Sequence, residues 1–368
     1  MRRVFVSACE PSAEIHAAAV VRALCAHDST VLVEGIGGPH MEGAGVRLVQ
    51  RSERLSAMGL AEAVRALPIH LRLLRRLKHR FAEGRYDVVV LVDYPGFHLR
   101  LAAAAARHGV PVLYYIAPQV WAWGSWRLPT LRTHVRHLAV ILPFEQSYFR
   151  QQGIPATFVG HPLLDRPPGP NRRAARRVIG LPIDAPVLAL FPGSRPSETR
   201  RLWPVFREAA QQLRRVMPDA KLVTAAVPGT SYPEAEGFRL WRGDSATVLA
   251  AADAGLCKSG TTTLEAALAG MPMVIAYRIH SATYAIARRA VRLSHVGLVN
   301  LVAGRRVAPE FLQQAAVPSA LAQAVLPLLD PAGPAAAQQR ADFTAVKAAL
   351  GRPGAAHRVA EIVERLAA

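Results

Sequence analysis

Asp93 ends the apolar run "DVVVLVD" and is followed at once by "YPGFHLR". A carboxylate at the carboxyl end of a buried strand, just before Pro95 and Gly96, is placed to act as general base on an attacking hydroxyl. The same position also suits a helix N-cap or a structural, hydrogen-bonding Asp. A second set of residues lies far along the chain. "FPGSRPSE" (Phe191 to Glu198) directly follows a strand: Gly193 allows a tight turn, Ser194 offers a hydroxyl, and Arg195 can fork onto a phosphate. "CKSGTTTLEAALAGMP" (Cys257 to Pro272) holds a strand end, a turn at Ser259 and Gly260, and a helix expected from about Thr262. Backbone N–H groups around Thr261 and Thr262, at the positive end of that helix dipole, suit a diphosphate. Glu265, expected in the first turn, suits ribose hydroxyls. "SGTTTLE" alone also reads as a simple helix cap with Thr at the N-cap; with "GSR" in the same half, the nucleotide site is the better reading. No GxxxxGK[ST] run and no dinucleotide fingerprint occurs, which argues against ATP hydrolysis and a dinucleotide.

Other segments carry chemistry less directly. In "ACEPSAEIH" (Ala8 to His16), Glu10 or Ser12 either contacts a ligand or belongs to another capping segment. "YYIAPQVWAWGSWR" (Tyr114 to Arg127) gathers Trp121, Trp123 and Trp126 after a strand, where indoles stack on sugars, shield acyl chains, or form an interface core. In "RALPIHLRLLRRLKHRF" (Arg65 to Phe81), Ile69, Leu73, Leu74, Leu77 and Phe81 fall on one helical stripe and Arg72, Arg75, Arg76, Lys78 and Arg80 cover the rest. Such a helix either packs its stripe onto a sheet or lies on an anionic membrane. The 13 histidines form no HExxH or related pattern, so no metal is expected.

The elements that must position these residues alternate. Strands are expected to end at Ala8, Ile36, Asp93, Ile116 and Phe144, with helices starting near Ser12, Leu60, Phe97 and Glu145. Near-continuous apolar strands of this kind are buried on both faces of a parallel sheet. "RPPGPNRRAARR" reads as an exposed linker followed by a helix start. A second set follows: strands from Val187, Lys221, Ala254 and Pro272, a helix from about Pro204 to Met217, and a mostly helical stretch from Val307, broken at Pro331, Pro334 and Pro353. The expected fold is α/β with two Rossmann-like, doubly wound domains facing a central cleft, since ligands bind outside the carboxyl ends of such strands. Residues 1–166 form the first domain and 167–340 the second, with 341–368 a helix packing back toward the first.

A chain of 368 residues is long enough for two cores, and 51% apolar composition marks it as folded. Cys9, Cys25 and Cys257 are far apart and form no CxxC pair, which argues against a structural zinc site and a disulfide framework and fits a reducing cytoplasm. The apolar stretch after Arg3 is too short for a signal peptide, and no apolar run is long enough to span a bilayer. The formal net charge of +19 points either to phosphate-bearing partners or to an arginine-rich composition without a partner. Nucleic acid is not expected, because the arginines are scattered and no binding module occurs.

Nine stretches, in order, resemble lipid-A-disaccharide synthases: "GIGGPHMEGAGVRLV", "AMGLAEAV", "VDYPGFHLRLA", "YYIAPQVWAWG", "ILPFEQSYF", "FVGHPLLD", "LFPGSRPSE", "SGTTTLEAALAGMPMVIAYR" and "NLVAGRRVAPEFLQ". The resemblance spans roughly Val4 to Gln313 and implies a GT-B fold. It also implies transfer of diacylglucosamine from UDP-2,3-diacylglucosamine to 2,3-diacylglucosamine 1-phosphate, giving lipid A disaccharide 1-phosphate and UDP, with inversion and without a cofactor. In this reading Asp93 matches the catalytic base, Arg195 an essential arginine, Asn300 a nucleotide-site asparagine and Glu265 the glutamate of the UDP motif. Ser194, Ser259, Gly260, Thr261 and Thr262 complete the donor side. Glu10, Ser12, Met58, Trp121 and Trp123 fall on the acceptor or lipid side. The family's habit implies a homodimer, in the cytoplasm and peripheral on the inner face of the cytoplasmic membrane.

The sequence departs from the family in the first turn, where Cys9, Ala13, Glu14 and Ala17 replace Gly, Gly, Asp and Gly; added β-carbons there are expected to crowd a ligand approaching the backbone. His98 replaces Asn, Lys258 adds a charge, and Val299 replaces Pro. The altered turn favours a related GT-B transferase or UDP-sugar epimerase with another acceptor. With the high charge, it also favours a catalytically silent, UDP-binding relative.

Overall fold

The computed structural model describes residues 2–54, 60–279 and 294–368. They form two compact units, one of residues 1–166 and 350–368, the other of residues 167–349.

Unit 1 is built on a parallel sheet of β1 (Arg3–Ala8), β2 (Leu32–Gly37), β3 (Arg47–Arg51), β4 (Val88–Val92), β5 (Val112–Tyr115), β6 (His137–Val140) and β7 (Ala156–Phe158). Their order is β3-β2-β1-β4-β5-β6-β7. Its helices are α1 (Pro11–His27), α2 (Pro39–Glu42), α3 (Leu60–Ala82), α4 (Pro95–Ala106), α5 (Leu128–His134) and α6 (Glu145–Gln151). Alternate residues of each central strand enter separate cores, as the period of two requires. Phe5, Val89, Leu91, Val112 and Tyr114 pack against Leu73, Leu77 and Phe81 of α3 and Leu101 and Ala105 of α4. Val4, Val6, Val88, Val90, Val92 and Leu113 pack on the opposite side with Ala13, Ala17, Val20, Val21 and Leu24 of α1.

Unit 2 has α7 (Arg172–Ile179), β8 (Val187–Phe191), α8 (Pro196–Val216), β9 (Lys221–Ala225), β10 (Phe238–Trp241), α9 (Ser245–Ala251), β11 (Ala254–Lys258), α10 (Thr261–Leu268), β12 (Met273–Tyr277), α11 (Leu298–Ala303), β13 (Glu310–Leu312), α12 (Pro318–Val325) and α13 (Pro334–Ala349). The sheet order is β10-β9-β8-β11-β12-β13, again parallel. Leu188 and Leu190 meet Leu202, Trp203 and Phe206 of α8 and Leu321 and Val325 of α12.

Several boundaries differ from expectation. The helix expected from Pro204 begins at Pro196, two turns earlier. Pro196 takes the first helical turn, where a missing N–H costs nothing, while Pro204 sits inside the helix on its exposed side, where water can serve the freed carbonyl. The sixth strand stops at Val140, and Ile141 to Phe144 turn into α6. The crossing back to unit 1 falls at Leu350, not 341, because α13 runs unbroken to Ala349 and stays with unit 2. Gly351 and Gly354, at φ 90° and 94°, break the helix there. The last helix, α14 (Ala355–Leu366), packs Val359, Ala360, Ile362 and Val363 into the core beside α1. Its start is pinned by Asp165, whose carboxylate accepts the N–H groups of Gly354 (2.5 Å) and Ala355 (3.1 Å), a favourable charge for a helix N-terminus.

The linker itself is exposed from Asp165 to Arg173, yet Arg176 of the same arginine run is fully buried. It donates to Ala251 O, Pro182 O, Ile183 O and Ala185 O, and to Asp253 Oδ2 at 2.7 Å. This one side chain therefore fastens α7 to the strand entry before β8 and to the end of α9.

In α3, Leu73, Leu77 and Phe81 are buried against the sheet, as the packing reading requires, while Arg72, Arg75, Arg76 and Lys78 face solvent. Ile69 and Leu71 also remain exposed, at 37% and 43%. No helix among the described residues is long and apolar enough to cross a membrane.

Candidate active site

In a doubly wound sheet the ligand crevice opens where the strand order reverses. In unit 1 that fork lies between β1 and β4, and Asp93 is the first residue after β4. Asp93 is half-buried, and both it and Tyr94 are in the left-handed region, at φ 54° and 52°. Two such residues in a row cost about 1–3 kcal/mol each, so the surroundings must hold them. They do: the Asp93 carbonyl accepts from His98 Nδ1 (2.6 Å) and from Tyr114 Oη (2.6 Å), while its N–H donates to Tyr115 O. Burial pushes His98 down to about 4 and raises Tyr114, so the imidazole is neutral and the phenol keeps its proton to donate. With Nδ1–H given to Asp93 O, His98 Nε2 accepts from Ser7 Oγ at 2.8 Å. His98, the residue that replaces the familiar Asn, thus ties β1 to the turn that presents Asp93.

The first-turn substitutions point into the body of unit 1. Cys9, Ala13, Glu14 and Ala17 are all buried, because positions 13 and 17 of α1 share the face that packs on the sheet. Glu14 Oε1 accepts the N–H groups of His40 (2.6 Å) and Met41 (3.3 Å), so it serves the start of α2. The Cys9 thiol, raised to about 12 by burial, is no nucleophile. What the turn does present is Glu10, half-buried at the N-cap of α1 without a side-chain capping bond, and exposed Ser12. Met58 lies outside the described residues.

The tryptophan loop divides. Trp121 donates Nε1–H to Glu145 Oε1 (2.9 Å) and packs edge-on against Phe144. Trp123 and Trp126 are exposed and enclose the Arg127 guanidinium at 4.7 and 5.4 Å from their ring centroids. Glu145, buried completely, also accepts from Ile141 N and Leu142 N, and burial raises it from 4.5 to about 7. A carboxyl whose folded value is raised binds more protons folded than unfolded between pH 4.5 and about 7, so stability falls as pH rises through that window. We expect wild type to lose up to roughly 3 kcal/mol relative to Glu145→Gln from pH 4.5 to 7.5. Parallel urea titrations of the two proteins give the difference directly, and parallel stability curves would refute it.

In unit 2 the fork lies between β8 and β11, which pair directly through Phe191 and Cys257. The loop after β8 carries Gly193, at φ 137°, then exposed Ser194 and Arg195, with Arg195 at the N-cap of α8 and making no side-chain cap bond. β11 ends on Lys258, and Ser259 and Gly260 follow it. α10 starts at Thr261, and its N-cap is Gly260, at φ 152°, so the threonine-cap reading fails: no side chain caps this helix. Thr263 Oγ1 instead donates to Gly260 O and accepts from Val299 N–H at 3.4 Å, a bond that a proline at 299 has no N–H to make. Thr261 is exposed and Thr262 half-exposed at the open helix start. Glu265 is beyond the first turn, on its fifth residue, and half-exposed.

Two donor-side residues serve the scaffold. Ser259 Oγ donates to Val296 O at 2.9 Å. Asn300, expected as a nucleotide contact, is fully buried: it donates to Ala308 O and Glu310 Oε1 and accepts from Val307 N and Ala308 N. Its amide capacity is filled, and it shapes the 300–310 loop rather than meeting a ligand.

Sequence reasoning missed Glu198. Its Oε2 accepts the Ser194 N–H (3.1 Å) and its Oε1 pairs with Lys258 Nζ (2.9 Å), joining the loop after β8 to the last residue of β11. The signals were there: an acid three residues into a helix, and an unexpected lysine beside the turn. His98 and Tyr114, which hold Asp93, were equally unread as positioning residues. Among the described residues, no three His, Cys, Asp or Glu side chains gather as a metal-binding group.

A family model described as lipid-A-disaccharide synthetase matches residues 4–361. The chain belongs to the lipid-A-disaccharide synthase family. A lipid-A-disaccharide synthase of Anaeromyxobacter dehalogenans (strain 2CP-C) is 41% identical over 372 positions, covering 98% of this chain and 96% of its own. Among solved structures, the glycotransferase of kitacinnamycin is similar over 99% of this chain and 98% of its own, at 18% identity and TM-score 0.65. UDP-GlcNAc 2-epimerase from Neisseria meningitidis, bound to UDP-GlcNAc, is similar over 99% and 100%, at 12% identity and TM-score 0.64. At these identities the likeness concerns the fold, which is GT-B. In this lipid-A-disaccharide synthase family member, Asp93, Glu10 and Ser12 follow the strands flanking the unit 1 fork. Ser194, Arg195, Gly260, Thr261 and Thr262 gather at the fork of unit 2.

Proposed function

We propose that the chain moves diacylglucosamine from UDP-2,3-diacylglucosamine to 2,3-diacylglucosamine 1-phosphate in a single inverting displacement. The acceptor 6-hydroxyl oxygen attacks the anomeric carbon, the bond from that carbon to the diphosphate oxygen breaks, and UDP leaves. Asp93 takes the hydroxyl proton. Arg195 and the uncapped start of α10 meet the charge that grows on the leaving diphosphate, where each preorganised donor supplies roughly 3 kcal/mol; these groups carry the step without a metal. Glu265 accepts from ribose hydroxyls. The observation that carries the reading is Asp93 at the unit 1 fork, on a strained turn pinned by His98 and Tyr114.

The altered first turn favours another acceptor, and together with the net charge of +19 it favours a silent relative. Against both stand the packing of Cys9, Ala13, Glu14 and Ala17 inside unit 1 and the presence of Asp93, Arg195 and Glu265. Acting on such acylated substrates, the protein works at the inner face of the cytoplasmic membrane; exposed Ile69 and Leu71 beside Arg72, Arg75, Arg76 and Lys78 support this reading. Mass spectrometry of the product from the two acylated glucosamine precursors tests the function: a β-1,6-linked disaccharide 1-phosphate with equimolar UDP is expected. No UDP release with these precursors, from protein that binds UDP, overturns it.

A further inference from the structure

The Glu198 carboxylate lies over the Gly193–Ser194 turn. A β-carbon on Gly193 would sit 2.8 Å from Oε2 and 2.5 Å from Glu198 Cβ, so only glycine admits this approach. The two groups that Glu198 engages, a backbone N–H and the Lys258 ammonium, are those that otherwise bind phosphate oxygens. They come from the two strands that flank the fork of unit 2. A glutamate at the third residue of a helix can serve a capping box, but a capping box closes on the N-cap amide, here Arg195, and Glu198 lands one residue upstream. A cap also has no use for a lysine set on β11. Both side chains keep access to solvent, at 21% for Lys258 and 19% for Glu198, so the pair can open without unpacking the core.

We propose that Glu198 is an internal stand-in for the diphosphate: it occupies Ser194 N–H and Lys258 Nζ while the site is empty and yields both to the nucleotide, which makes Lys258 a diphosphate-binding residue of this chain. The inference rests on the reading of unit 2 as the UDP-sugar site. A partly exposed ion pair is weak, whereas a diphosphate carries more charge and more acceptors onto the same donors, with Arg195 and the α10 start alongside. Exchange therefore runs toward the nucleotide when it is present. When UDP leaves, the carboxylate returns and keeps the cations from standing uncompensated.

Calorimetric titration of the full chain with UDP, and with uridine as competitor, tests the exchange. Glu198→Gln removes the competing charge at constant shape and is expected to tighten UDP binding about fivefold, while Lys258→Met weakens it about tenfold, the scale of one charge-assisted contact. Lys258→Arg, which keeps the charge, retains UDP affinity within about threefold, and uridine affinity changes less than about twofold in every variant, because it lacks the phosphates. Thermal melts confirm that each variant is folded. Weaker UDP binding by Glu198→Gln, or unchanged binding by folded Lys258→Met, overturns the exchange while leaving the donor site in place. Absence of UDP binding by wild type overturns the donor-site reading and the exchange with it.

Discussion

Asp93→Asn is expected to lower kcat by a factor on the order of 10² to 10⁴, the range associated with a positioned general base, while UDP affinity stays within about twofold of wild type. The substitution is isosteric, and the bonds from His98 and Tyr114 to the backbone carbonyl of residue 93 remain available to hold the turn. An amide cannot take the acceptor's proton at neutral pH. The loss should fall on kcat and on kcat/KM alike, the mark of an interaction made in the transition state only. Steady-state rates with both acylated substrates, next to a UDP titration of the same preparation, separate chemistry from binding. Turnover near the wild-type level would remove Asp93 from the mechanism.

Arg176→Ala should destabilise unit 2 by about 3–5 kcal/mol, because it strands a buried charge. Asp253 Oδ2 would keep only Val187 N–H, and Oδ1 only the half-exposed Arg172. Four carbonyls, of Pro182, Ile183, Ala185 and Ala251, would lose their donor in the same step. Such a loss is a large part of the 5–15 kcal/mol that holds a typical domain together. Arg176→Lys can restore the charge beside Asp253 but not the fan of carbonyl contacts, so it should fall between wild type and alanine. Urea unfolding followed by fluorescence of Trp203 and Trp241 measures the effect. A change below about 1 kcal/mol would mean that the cluster relaxes and rehydrates.

Much of this fold could be read from the chain because its central strands are buried on both faces. "VVVLV" is an apolar run with no alternation, and all five residues are buried. The edge strands escaped for the converse reason: "RLVQR" and "EFL" are short and half-exposed, with no apolar run to mark them. Arg176 was unreadable because a buried arginine and a solvated one look alike in an arginine run; only partners distant in sequence, such as Asp253, distinguish them. Asn300 misled in the opposite way. A motif match located the residue, but the motif is preserved equally well by a loop that needs four hydrogen bonds filled. The position of Asp93 was legible from the strand end and Pro95, while its left-handed backbone, and the histidine and tyrosine that hold it, were not.

The return of the chain at Leu350 sets an order of assembly on the ribosome. Every part of unit 2 has been made once Ala349 emerges, whereas unit 1, first to be translated, still lacks α14. Until α14 leaves the exit tunnel, the place beside α1 that awaits Val359, Ala360, Ile362 and Val363 stays uncovered, and Asp165 has no helix start to grip. The half that carries Asp93 is thus completed after unit 2, and a polypeptide halted before α14 would offer chaperones an apolar strip on an otherwise nearly finished domain.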